Sequence, residues 1–289
     1  MLALVCAVAL TTAWRNGRRF TAAATSVSPS RALVGWARIA CIGCSPATRA
    51  GFSLAAAALT RSGPHRSVLA VGVACAVAWT AANVGDMTWN RVGAVSEVSL
   101  TWIALEPAVL IILALAVYQA VKLPADRRGA TGVVLAWSGS GRHFRDGVRR
   151  AGLLMTAGPM AVLAWPAHYR VMGTLFSLVH GGIALLASDI LLRFLLRRHA
   201  AVPLVTAAEG ESHMKTHAPI YAIGGLAGLW GFAWLERLAL SDTMWTAGFV
   251  GLLVCLDFLA AVLPTPRVAL ASTEPATNHH DAVQLALTE

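Results

Sequence analysis

Six long apolar runs, separated by shorter polar stretches, set the pattern of the chain. They cover residues 67–84, 99–121, 151–165 (extendable to about 168), 172–192, 218–235 and 244–263. Most have the length, about 18–23 residues, that a helix rising 1.5 Å per residue needs to cross the hydrocarbon core. A lone strand in lipid leaves its backbone groups unpaired, so the runs predict helices. A seventh run, residues 1–13, reaches only about 20 Å as a helix against a core of about 30 Å. The expected fold is all-α: a polytopic transmembrane bundle of six or seven spans.

The polar stretches carry an independent signal. Lys and Arg number eight in residues 14–66, one in 85–98, seven in 122–150, one in 166–171, four in 193–217 and one in 236–243. Rich and poor segments alternate over six consecutive spans, as the positive-inside rule requires. The rich segments and the C-terminus are expected on the cytoplasmic side of an inner (plasma) membrane. Trp89, Trp102, Trp165, Tyr169, Trp234 and Trp245 fall near the outer ends of the runs, and Tyr118, Trp137 and Tyr221 near the inner ends. Their rings suit headgroup level.

Composition agrees. The chain is 57% hydrophobic and 13% charged, and its mean hydropathy is +0.63. Soluble domains carry roughly 25% charged residues. The net charge of +9 sits in the stretches between runs, without the interleaved aromatics of a nucleic-acid surface. The expected partners are the lipid bilayer and a cytoplasmic or membrane protein, not nucleic acid. Residues 1–13 lack a basic leader and are followed by Arg15, Arg18 and Arg19, unlike a secretory signal. They read as a shortened span. Residues 14–66 read as a basic cytoplasmic segment with short interfacial helices or helices packed on the bundle. Residues 67–263 form the six-span domain, and 264–289 a disordered tail.

One stretch resembles a known group. Residues 52–66 read Phe-Ser-Leu-Ala-Ala-Ala-Ala-Leu-Thr-Arg-Ser-Gly-Pro-His-Arg and lead directly into a span. This is similar to a basic stretch in a group of uncharacterised bacterial multi-pass membrane proteins. Residues 123–128, residues 147–151, Pro159, His180, Pro219 and Tyr221 extend the resemblance over roughly residues 50–240. It implies that the chain matches the C-terminal part of a longer protein. Residues 202–217 lack the cysteines found in that group, and the group brings no activity with it.

Ionisable side chains inside spans cost about 2.5–3.5 kcal/mol on insertion scales and mark function by default. His180, beside Gly181 and Gly182, is the most central of these, with Glu106 (just before Pro107) as its expected partner. Asp257 is the second candidate. Asp189 is nine residues past His180, on the opposite helix face, and is expected to pair with Arg193 at i+4. The alternative for His180 is an interhelical hydrogen bond, with the glycines letting helices approach.

No metal or cofactor set emerges. Cys41-Ile-Gly-Cys44 is a lone CxxC, short of the ligands zinc needs. His213 and His217 share a helix face but have Lys215 between them, and His279–His280 is an isolated pair. No P-loop, nucleophile elbow or dinucleotide fingerprint is present, so no catalytic motif supports an enzyme. Two functions remain: a transport-related permease or membrane subunit, with helices broken at Pro107 and Pro159, or a non-catalytic scaffold or assembly factor.

Overall fold

Capping residues and prolines decide where the helices begin. In the computed structural model the described residues are 39–86, 97–123, 141–198, 204 and 214–263, and no strand occurs among them. Ser45 accepts a hydrogen bond from the Thr48 N–H at 3.3 Å, and Pro46 opens α1, Pro46–Arg61. Pro46 loses nothing there, because a first-turn N–H has no helical partner. α2, Gly63–Asn83, follows after Ser62. Ser99 caps α3, Leu100–Val121, through the Trp102 N–H at 3.3 Å.

The third apolar run is longer than its pattern suggests. α4, Gly141–Gly152, continues through a π-helical turn, Leu153–Ala157, into α5, Gly158–Met172. Pro159 explains the π turn: a proline ring crowds the carbonyl four residues back, and widening the turn relieves it. The helix expected to break at Pro159 is therefore continuous, and Pro107 likewise lies inside an unbroken α3. α6 is Thr174–Arg198, α7 Met214–Leu240 and α8 Thr243–Val262.

Each of the six runs falls on helix. Four helices, α2, α3, α6 and α8, are long and apolar enough to cross a membrane. α3 is the central one, with 67% of its apolar window buried, against 6% for α8. Leu252, Val254, Phe258, Leu259 and Val262 of α8 are exposed, as are Val162, Leu163, Leu175 and Leu178. So broad an apolar outer surface fits a lipid environment and not water.

Glycine matters where α1 crosses α4. A Cβ on Gly147 would strike the Thr48 carbonyl and lie 2.6 Å from the Phe52 nitrogen, and a Cβ on Gly51 would strike the Phe144 carbonyl. The two backbones therefore touch, and Phe52, Ala55, Phe144 and Val148 close over the contact. Residues 49–61 thus pack on the bundle. His65 ties the start of α2 to the end of α3, with Nδ1 2.7 Å from Ser62 Oγ and Nε2 3.2 Å from the Leu123 carbonyl oxygen.

The run 1–13, the tail 264–289, the His279–His280 pair, His213, Trp89 and Trp137 lie outside the described residues, as do the side chains of His217 and Tyr221.

Candidate functional site

Two tight hairpins bring the site together. Gly173, at φ +78°, joins α5 to α6 by itself. That left-handed conformation suits glycine, which has no Cβ to clash. His168 lies five residues before this turn and His180 seven after it, so the hairpin sets the two rings side by side with centroids 4.9 Å apart. Asp242 caps α8 through the Met244 N–H at 2.7 Å and closes the α7–α8 hairpin, leaving Glu236 one turn from its end.

Four ionisable side chains from four helices converge here. Glu106 comes from α3, His168 from α5, His180 from α6 and Glu236 from α7. All are buried, His180 and Glu236 completely. His180 Nδ1 lies 2.7 Å from Glu236 Oε1, a hydrogen bond in which the imidazole N–H donates to the carboxylate. Glu106 Oε2 is 3.6 Å from both His168 Nδ1 and His180 Nε2, too long for hydrogen bonds. His168 Nδ1 is 3.0 Å from the Ala164 carbonyl oxygen, to which it donates. Glu106 Oε1, His168 Nε2, His180 Nε2 and Glu236 Oε2 have no hydrogen-bond partner among the described residues. One ligand-type atom from each of Glu106, His168 and His180 lies within 4.8 Å of the others.

An apolar wall surrounds the cluster. Trp102 stands edge-on to His168 with centroids 5.2 Å apart. It was expected at headgroup level from its place in the run, but it is fully buried. Ile103, Val171, Ile183 and Ala233 complete the packing. Glu106 lies beside Gly181 of α6, where a Cβ would be 3.6 Å from Glu106 Oε1, an ordinary contact that does not require glycine. Gly182 has nothing comparable within 4 Å, so it does not provide the close approach expected of it.

His180 and Glu106, paired by the sequence reading, do meet. Asp257, the third candidate, belongs elsewhere. Arg193 Nε is 2.9 Å from Asp257 Oδ1 and a second guanidinium nitrogen 3.3 Å from Oδ2, so this candidate is engaged in an ion pair with a residue far away in the chain. Asp189 bonds Arg149 directly and lies 3.7 Å from Arg193, its expected partner. Arg193 turns from its i+4 neighbour to Asp257 because that carboxylate meets two of its nitrogens at once. Along α6, at 1.5 Å per residue, Asp189 and Arg193 of this network lie about 14 and about 20 Å from His180.

Glu236 escaped notice because it was assigned to a polar connection, residues 236–243, and His168 because it fell at the outermost edge of the third run and was counted with the connection 166–171. In the structure the helices run on through Met172 and Leu240. α6 starts at Thr174 and runs on to Arg198, which places His180, expected near the middle of its span, in the second turn. Two histidines spaced almost evenly about Gly173 were the available signal.

Comparison with known proteins adds no relative: no family model, curated protein or solved structure matches the chain.

Proposed function

We propose that the chain is an inner-membrane permease or the membrane subunit of a transport system, and that Glu106, His168, His180 and Glu236 bind its cargo, a cation. The cluster carries this reading. One His–Glu hydrogen bond is enough to fasten two helices. Here a second carboxylate and a second imidazole are buried as well, at a cost repaid only when such groups have partners.

In this reading six helices span, with the third made of α4, the π turn and α5. The basic stretches and the C-terminus face the cytoplasm, and the cluster sits one to two turns below the opposite surface. A groove of about 560 Å³ beside the π turn, lined by Leu153, Gly158, Leu185, Arg150 and Asp189, supports a packing irregularity on the cytoplasmic side. π turns recur at functional sites. The resemblance to multi-pass membrane proteins is consistent with this assignment.

A scaffold or assembly factor is the second reading. It is favoured by the 2.7 Å His180–Glu236 bond between α6 and α7 and by the Arg193–Asp257 pair between α6 and α8.

Solid-supported-membrane electrophysiology on reconstituted full chain separates the two. Concentration jumps of Na⁺, K⁺, Mg²⁺, Mn²⁺ and Zn²⁺ should displace charge for at least one ion, and Glu106→Gln should abolish the response. Silence of the unaltered protein to every ion would leave the scaffold. Labelling of a Gly139→Cys variant by an impermeant maleimide added outside the cell would reverse the orientation.

A further inference from the structure

We infer that Glu106, His168 and His180 form a binding site for a divalent first-row transition metal, with Glu236 as the carboxylate that orients His180. The identification as cargo rests on the transport reading above, whereas the binding itself does not.

The hydrogen bonds point to this. Histidines that bind metal through one ring nitrogen almost always donate the other N–H to a carboxylate or backbone carbonyl, which fixes the tautomer. His180 Nδ1 bonds Glu236 Oε1 at 2.7 Å, and His168 Nδ1 bonds the Ala164 carbonyl oxygen at 3.0 Å. With Nδ1 protonated in both rings, each Nε2 carries its lone pair. Those two nitrogens and Glu106 Oε1 are among the buried atoms without a hydrogen-bond partner among the described residues.

Spacing and charge agree. Ligands at about 2.1 Å from a tetrahedral ion lie about 3.4 Å apart. One ligand-type atom from each of the three residues lies within 4.8 Å of the others. Glu106 Oε2 is 3.6 Å from His180 Nε2 and 3.6 Å from His168 Nδ1, so on His168 closing the set requires the ring to turn Nε2 toward Glu106. A divalent ion balances the two carboxylates in a pocket walled by Trp102, Ile103 and Ile183. Two imidazoles with one carboxylate suit zinc, iron(II) or cobalt(II), whereas magnesium and calcium prefer all-oxygen sets. Three protein ligands leave a coordination position open for water or an exchanging ligand.

The test uses the full chain in detergent, carrying no histidine tag and stripped with a chelator. Titrated Co²⁺ should bind at one ion per chain and give the intense visible absorption of a four- or five-coordinate nitrogen–oxygen site, and Zn²⁺ should bleach it. His168→Gln, His180→Gln and Glu106→Gln should each abolish the band. Glu236→Gln should keep the band and weaken affinity by about 10–100-fold, as loss of an orienting partner does. Asp257→Asn should change neither. Sub-stoichiometric Co²⁺, or only the pale spectrum of the hydrated ion, in the unaltered chain would overturn the site whether or not any variant folds. So would a band that survives both His180→Gln and Glu106→Gln. One bound Co²⁺ without charge displacement keeps the metal site and sinks transport. Charge displacement by Na⁺ without Co²⁺ binding sinks the metal site and keeps transport.

Discussion

His180 and Glu236 lie 56 residues apart in the chain and 2.7 Å apart in the fold, in a hydrogen bond that no solvent reaches. It joins α6 to α7 just below the turns that close their hairpins. The bond stabilises the bundle whatever the cluster binds. Glu236→Ala removes the acceptor and leaves the imidazole N–H buried and unsatisfied, which costs about 1–3 kcal/mol. Glu236→Gln keeps an oxygen facing His180 and should cost less than half as much. Thermal unfolding in detergent, without added metal, checks the order. Equal losses in the two variants would mean that the negative charge, which both remove, and not the hydrogen-bonding oxygen, is what Glu236 supplies.

Arg193 and Asp257 form a second link, between α6 and α8, at the opposite end of α6 from the cluster. Both are partly shielded, so the pair should be worth more than a surface ion pair, whose typical value is 0–1 kcal/mol. In a double-mutant cycle, Arg193→Ala and Asp257→Ala should each destabilise the chain. The double variant should recover about 1 kcal/mol of the summed loss. Strict additivity would show that Arg193 draws its stability from Asp146 and Asp189, its other acidic neighbours.

The sequence disclosed the helices and half of the cluster for different physical reasons. Apolar length is a one-dimensional property, so six runs could be read directly, and a charged group inside a run, such as Glu106 or His180, stands out against it. Partnership is three-dimensional. Asp257 looked alone because Arg193 is 64 residues away. Glu236 was hidden by Arg237, which made the end of its run look like a connection. Trp102 has the amphipathic ring of an interfacial residue, and only its neighbours reveal that it lines the cluster. The touching backbones at Gly51 and Gly147 were equally unreadable, because which two helices cross at a glycine is not a property of either stretch alone.

That crossing yields a sharp contrast between glycines. Gly147→Ala drives a methyl group into the backbone of α1 at Thr48 and Phe52, where nothing can rotate away. Overpacking of this kind costs about 1–3 kcal/mol. Gly182→Ala meets nothing within 4 Å and exchanges a helical glycine for a better helix former, a gain of up to about 1 kcal/mol. The two variants should shift the unfolding temperature in opposite directions. A harmless Gly147→Ala would show that α1 does not lie on α4 as described.

Cys41 and Cys44 differ in what covers them, and alkylation should separate them. Cys41 is completely buried within the α1–α4 core, whereas Cys44 is partly exposed. Burial raises the Cys41 thiol above its usual value of 9.0, the neighbouring Cys44 adds to the rise, and Arg150 opposes it only in part. Only the thiolate reacts with maleimide or iodoacetamide, so at pH 7 Cys41 is short of both access and the reactive form. Brief treatment of the folded chain should modify Cys44 first, and Cys41 should become reactive only on unfolding or well above pH 9. The tryptic peptide spanning residues 39–49 contains both thiols, so fragment-ion mass spectrometry assigns each adduct. Equal modification at pH 7 would mean that residues 39–45 leave the core on the timescale of the reaction.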